Sequence, residues 1–243
     1  MDITYSVIIP IYNEEGNIEK LTKILYEVLG PPHNYEVIYV DDASTDNSRM
    51  LLKKLTTEYL NLQAISLKKR YGQSGALYVG LQHSRGKILI TLDGDLQNPP
   101  HEIPKLIAEL NKGYDFVIGI RKNRQDNWIK KISSKIANWY RKLILGDIFE
   151  DIGCSLRAFK REVLNCIFPF KSLHRFLPYL VLINKFKVSQ IEIEHHRRVY
   201  GKSKYGVFIR AIQGSWDTQA MGWLKNRIIP YKELLDGTNI EFI

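Results

Sequence analysis

The feature that most constrains this chain is an alternation in its first half. Short β-branched runs at Tyr5–Ile9, Glu36–Val40, Leu62–Leu67, Lys87–Leu92 and Asp115–Ile120 are separated by helical patterns. Those patterns fall at Glu15–Leu29, Thr45–Tyr59, Ser74–Ser84 and Pro100–Asn111. Strand and helix in strict turn predict an α/β fold, a mostly parallel sheet flanked by helices. In such a sheet ligands bind at the carboxyl ends of the strands. Polar residues cluster at those ends: Asn13-Glu14, Asp41-Asp42, Asp93-Gly94-Asp95 and Arg121.

The second half reads differently. Asn127–Leu145 and Tyr205–Arg227 carry apolar and aromatic residues at helical spacing among lysines and arginines. Asp151–Phe159 and Ser189–His195 predict strands, and Leu173–Asn184 a helix. No Gly/Ser/Pro-rich break marks a linker in the chain; the expected organisation is a main α/β domain over 1–204 with an amphipathic helical extension and tail over 205–243. With 243 residues, 44% of them hydrophobic, a sizeable core is affordable.

The net charge of +9 favours anionic partners: phosphates, nucleic acid or an acidic membrane surface. Two cysteines, Cys154 and Cys166, make neither a disulfide framework nor a paired-cysteine zinc site, which points to a reducing compartment. No signal-peptide pattern precedes the first strand, and no apolar run approaches the ~18 residues of a transmembrane helix. Membrane contact, if any, is expected from the surface.

The stretch ITLDGDLQNPP runs an apolar strand into two carboxylates one residue apart and stops it with a double proline. Side chains two apart on an extended segment share a side, so Asp93 and Asp95 are expected to face one cation. Gly94 would let a ligand approach, and Gln97 would add a neutral oxygen. Hard oxygen donors suit Mg²⁺ or Mn²⁺, completed by phosphate and water. An Asp-x-Asp alone more often solvates a strand end.

In order and spacing, SVIIPIYNEEGNIEKL, VIYVDDASTDNS and ITLDGDLQNPPHEIP resemble the GT-A-fold family 2 glycosyltransferases. The later blocks FVIGIRKNRQDNWIKKISSKIAN, DIGCSLRAFKR and HHRRVYGKSKYG look like the polyprenyl-phosphate group, which contains dolichol-phosphate mannose synthase. NRQDNW and DIGCSLRAFKR are similar to the enzymes that load formamido-arabinose onto undecaprenyl phosphate. The resemblance covers residues 5 to 210 or so and implies a GT-A (Rossmann-like) fold without a transmembrane helix.

It also implies site residues. Pro10, Tyr12, Asn13, Glu14, Asp41 and Ser44 fall on nucleotide-binding positions, though Ser44 and Asp42 fit capping of the next helix equally well. Asp93, Asp95 and Gln97 match the metal and diphosphate positions. Arg121, Arg124 and Ser134, with Arg198, Ser203 and Lys204, match the region meeting the acceptor phosphate and diphosphate, a task suited to guanidinium forks. His195 and His196 are adjacent on a predicted strand and point to opposite faces, so they are not a metal pair; His195 is expected to be a hydrogen-bonding scaffold. Arg70 departs from the pattern, standing where relatives commonly have asparagine.

The implied reaction is inverting transfer of a sugar from a UDP- or GDP-linked donor to a polyprenyl phosphate such as undecaprenyl phosphate, assisted by Mg²⁺ or Mn²⁺. The setting would be peripheral, at the cytoplasmic face of an anionic membrane; a separate membrane partner or a homo-oligomer stays open. The catalytic set is Asp93, Asp95, Arg121 and Asp151, the last as base if the acceptor is a hydroxyl. That alternative is a soluble family 2 enzyme acting on a saccharide or protein. A further alternative is a non-catalytic nucleotide or nucleic-acid binding module, although no nucleic-acid motif is present and nucleic acid is not an expected partner.

Overall fold

The computed structural model describes residues 3–31, 34–122, 138–196 and 207–236. Its strands are β1 (Tyr5–Ile11), β2 (Tyr35–Asp41), β3 (Leu62–Ser66), β4 (Ile88–Thr91), β5 (Phe116–Arg121), β6 (Arg157–Lys160) and β7 (Val188–Ile193). They make one 7-stranded sheet in the order β3-β2-β1-β4-β6-β5-β7. The helices are α1 (Ile18–Leu29), α2 (Ser48–Glu58), α3 (Gln73–His83), α4 (Ile103–Leu110), α5 (138–145), α6 (Leu173–Ile183), α7 (Val207–Lys225) and α8 (Tyr231–Asp236). Parallel neighbours need crossover connections, and α1, α2 and α3 supply them for β1 to β4.

Both faces of the sheet are covered, which is why β2 is buried at every residue. The period-2 alternation sorts its side chains. Val37 and Tyr39 belong to the main core, where the Tyr39 hydroxyl meets Thr22 Oγ1 of α1 at 2.9 Å. Ile38 and Val40 point the other way and pack with Ala76 of α3. Each such aliphatic side chain contributes roughly 1.5–3 kcal/mol when fully buried. Helix α3 sits directly on the sheet: a Cβ on its Gly80 would lie 2.5 Å from Ile8 Cγ2, so only glycine fits.

At the amino ends of the strands the buried Glu36 is fully engaged. It accepts hydrogen bonds from Ser6 Oγ (2.6 Å), Arg85 N (2.6 Å) and Gln63 Nε2 (3.0 Å), and Arg85 adds its guanidinium. This acid is structural and lies at the end of the sheet away from the polar strand tips.

Two expectations change. The predicted strand Asp151–Phe159 is only Arg157–Lys160, and it runs antiparallel to both β4 and β5. Asp151 interrupts it: its Oδ1 accepts the Gly153 amide at 3.2 Å, turning the chain before the ladder begins. Likewise β4 ends at Thr91, so Asp93 and Asp95 stand on a turn rather than on an extended strand. Leu96 takes a left-handed conformation, φ 59°, to make that turn.

The described part of the 205–243 segment is tied to the body. Met221 is buried in the main core, Ser172 Oγ donates to Asp217 (2.6 Å), Lys225 Nζ to the Leu145 carbonyl (2.9 Å), and Lys232 Nζ to Glu162 (2.7 Å). No described helix is long and apolar enough to cross a membrane.

Candidate active site

Because β1 to β5 run the same way, their carboxyl ends share one edge. The antiparallel β6 delivers its amino end, with the turn before it, to that edge. Backbone bonds lace the tips together: Asp42 N donates to Ile11 O and Leu67 N to Asp41 O, both at 2.9 Å.

The expected nucleotide residues stitch the first two tips. Pro10 lies within β1 beyond the last residue that pairs with β4, where its missing N–H costs no ladder bond on that side. Asn13 adopts φ 55°; its amide N donates to Ser44 Oγ (2.9 Å) and its Oδ1 accepts from Thr45 N (2.8 Å). Glu14 N donates to Ser48 Oγ, and Asp41, which is buried, accepts from Ser44 N at 3.0 Å. The capping alternative for Ser44 and Asp42 does not hold for α2, which begins at Ser48 without either of them. Asp42 instead clamps the loop before α3, taking the amides of Tyr71 and Gly72 at 2.7 Å each. That loop carries Arg70, whose guanidinium lies 4.0 Å over the Tyr12 ring.

The acid pair sits beside this platform. Gly94 is packed so closely that a Cβ there would come within 2.7 Å of Ile11 Cγ2. Asp95 is buried and accepts the Gln97 amide at 3.1 Å. Asp93 accepts from Gln73 Nε2 at 2.6 Å. Burial, and next the charge of Asp95, push the Asp93 carboxyl up to about 6. Two acids whose repulsion raises a pKa are a natural seat for a dication, which would relieve it. Among the described residues no group of three or more His, Cys, Asp or Glu is poised to hold a metal. A hard cation here would therefore draw on Asp93, Asp95, the Gln97 carbonyl and oxygens from ligand and water.

Across β6, Arg121 and Asp151 form a two-pronged pair, Nε to Oδ2 at 2.6 Å and Nη2 to Oδ1 at 2.7 Å, both largely buried. A carboxylate gripped this way is a weak proton acceptor. Gln97 and His196 join through His196 N to Gln97 O at 2.8 Å, and His195 Nδ1 lies 3.3 Å from Asn98 Oδ1. Arg124, Ser134, Arg198, Ser203 and Lys204 lie outside the described residues.

Sequence reading passed over four residues that hold the site. Gln73 grips Asp93 from the first turn of α3. Ser155 accepts from Asp93 N (3.2 Å) and Asn98 Nδ2 (3.0 Å). Arg157 is almost wholly buried, donating to the Ile152 and His174 carbonyls at 3.1 and 2.6 Å. Burial pushes its guanidinium down to about 10, against the opposing pull of neighbours that include Asp93. His174 Nδ1 lies 2.7 Å from Ser74 Oγ, locking α6 to α3. Only Arg157 left a signal, as a cation inside the apolar run Leu156–Phe159.

A doubly covered α/β sheet with acids and a stacked arginine at its carboxyl edge has the architecture of a nucleotide-dependent enzyme. The chain belongs to glycosyl transferase family 2, whose family model matches residues 6–168. Solved structures of similar fold include glucosyl-3-phosphoglycerate synthase from Mycobacterium tuberculosis. Its complex with Mn²⁺, uridine-diphosphate-glucose and phosphoglyceric acid aligns at TM-score 0.68 and 17% identity, over 89% of this chain and 80% of that one. The complex with phosphoglyceric acid alone gives 0.66 and 19%, over 93% and 81%. That with Mg²⁺ and uridine-diphosphate gives 0.66 and 17%, over 91% and 78%. At such identities the likeness is one of fold.

Proposed function

We propose that this glycosyltransferase moves a sugar, with inversion, from a UDP- or GDP-sugar to an acceptor phosphate, that of a polyprenyl phosphate at an anionic membrane surface. The observation that carries the donor half is the Asp93–Asp95 pair, held by Gln73 and Ser155 at the carboxyl edge. Asp93, Asp95 and Gln97 would hold Mg²⁺ or Mn²⁺, which supplies charge neutralisation for the departing diphosphate. The neighbouring solved structures, crystallised with Mn²⁺ or Mg²⁺ and uridine nucleotides, support that choice of metal and donor class. Tyr12, Asp41 and the loop clamped by Asp42 bind and orient the nucleotide. A phosphate acceptor is already ionised near neutral pH and needs no base, which suits a site whose Asp151 is engaged by Arg121.

Two exposed helix faces support the lipid acceptor. Trp139 and Leu143 on α5, and Trp216 and Trp223 on α7, are 66%, 65%, 68% and 59% exposed. The helices are joined by Gln219 Nε2 to the Tyr140 hydroxyl at 3.1 Å, and Lys142, Lys225 and Arg227 flank the aromatic faces. Tryptophan with a basic rim suits an anionic headgroup layer.

A second reading has its own support: the solved structures name phosphoglyceric acid, a soluble acceptor with a hydroxyl. On that reading the enzyme is a soluble transferase and some group must take a proton. Nothing speaks for the non-catalytic module, since the acid pair is intact.

The deciding experiment is transfer from a panel of UDP- and GDP-sugars to undecaprenyl phosphate and, separately, to phosphoglycerate, with Mn²⁺, Mg²⁺ or chelator. Metal-dependent glycosyl-phospholipid is the expected product. Product with phosphoglycerate alone would replace this reading with the second. In the same assay Gln73→Leu is expected to raise the Mn²⁺ concentration at half-maximal rate about 10–100-fold with an unchanged melting temperature. An unaltered Mn²⁺ dependence would remove Gln73 from the site.

A further inference from the structure

Resting on the donor reading above, we infer that Arg157 is the positioning residue that ties the two halves of the site together. From one buried guanidinium it fixes both the helix turn that grips Asp93 and the chain turn that carries Asp151.

Arg121 and Arg141 show how this chain buries a guanidinium: each forks a carboxylate of its own. Arg141 donates to Asp147 from Nε at 2.7 Å and from Nη2 at 3.2 Å, and Arg121 holds Asp151 in the same manner. Arg157, only 2% exposed, is built differently. Among the described residues its hydrogen-bond partners are two main-chain carbonyls and no carboxylate, and its Nε has no partner. A buried cation without a bonded anion is costlier than an apolar side chain of similar volume. Packing alone therefore does not account for an arginine here. Burial weighs against its charge, and Asp93 and Asp151 are among the neighbours that favour it.

Its place in the sheet explains its reach. Strand β6 lies between β4 and β5, and in register Arg157 stands opposite Thr91 on one and Ile118 on the other. A single group, Nη2, makes both of its bonds. One goes to the Ile152 carbonyl at 3.1 Å, in the turn between Asp151 and Gly153. Arg121 packs on that same turn, its Nη2 so close that a Cβ on Gly153 would lie 2.9 Å away. The other bond goes to the His174 carbonyl at 2.6 Å, in the first turn of α6. The His174 ring and amide in turn meet Ser74 Oγ at 2.7 and 3.4 Å. Ser74 follows Gln73, whose Nε2 grips Asp93. The path from Arg157 to Asp93 is thus hydrogen-bonded except for one peptide step along α3. An amino group shared by two carbonyls fixes their separation to within the length of its hydrogen bonds. Moving it shifts the Asp93 support and the Asp151 turn together, which an arginine serving the core alone would not do.

The test compares Arg157→Lys, Ser74→Ala and the double variant with the wild-type chain. Lysine keeps the charge on a shorter stem, whereas alanine at 74 cuts only the α3 branch. Calorimetric binding of Mn²⁺ in the presence of UDP is expected to weaken about tenfold in either single variant and by no more in the double, because both cut one path. In transfer to undecaprenyl phosphate, the KM for that lipid should rise severalfold with Arg157→Lys and keep its wild-type value with Ser74→Ala. Lower melting temperatures with unchanged Mn²⁺ affinity would overturn the inference and leave Arg157 a structural cation. Fully additive losses would overturn it too, since the two residues would then act separately. An unchanged KM with Arg157→Lys would remove the half that concerns Asp151. Arg157→Met, with no charge to desolvate, takes the same place in the cycle if the lysine variant does not fold. Failure of the wild type to bind Mn²⁺ with UDP would sink the donor reading itself. Absence of lipid product with the Mn²⁺ result intact would count against the acceptor alone.

Discussion

Asp93→Asn is expected to remove transfer while making the protein more stable. The loss of rate should be about 10²–10³-fold or more, the usual cost of deleting a group that stabilises developing charge. The gain in stability follows from burial and from Asp95, which hold the ionised Asp93 at a disadvantage in the fold. The sign is that of an acid whose pKa is raised on folding, from 3.8 to about 6. Below the lower value both states are protonated and there is no penalty. As pH rises through the window the unfolded chain ionises first, and above pH 6 the fold carries the full cost, about 3 kcal/mol. Melting temperatures of wild type and Asp93→Asn should therefore nearly coincide at pH 4 and diverge by pH 7, the variant being higher. Added Mn²⁺ should raise the wild-type value and close the gap. Divergence in the opposite direction would mean that Asp93 is a structural acid.

Asp151→Ala should destabilise the fold by about 3–5 kcal/mol, because it strands the largely buried guanidinium of Arg121. The double replacement Arg121→Met with Asp151→Leu should recover most of that loss, since two apolar side chains of similar volume need no partner. If Asp151 were instead a catalytic base, Asp151→Asn would keep the melting temperature, lower the rate, and erase the acidic limb of its pH profile. Thermal melts and pH–rate profiles on the three variants separate these outcomes.

The nucleotide half was legible because its signals are local. Strand and helix periods alternate cleanly from Tyr5 to Ile120, and parallel topology then forces Asn13, Asp41, Asp93 and Arg121 to one edge. What stayed hidden depends on contacts between segments distant in sequence. Gln73 and Asp93 meet across 20 residues, Ser74 and His174 across 100, and no pattern in either segment announces the other. The antiparallel β6 was hidden for a related reason: four residues are too few to show a period, and the turn at Asp151 is set by Arg121, 30 residues earlier. Arg70 was visible as a departure, but its stacking on Tyr12 was not.

The reversed strand β6 has a geometric consequence for the carboxyl edge of the sheet. By lying between β4 and β5, β6 sets the strand that leads into the acid pair two strand-to-strand steps, about 10 Å, from the strand that carries Arg121. Were β5 to follow β4 directly, the two strand tips would stand one step apart, about 5 Å. The width of one strand thus sets the spacing between the acid-bearing turn and the Arg121–Asp151 pair.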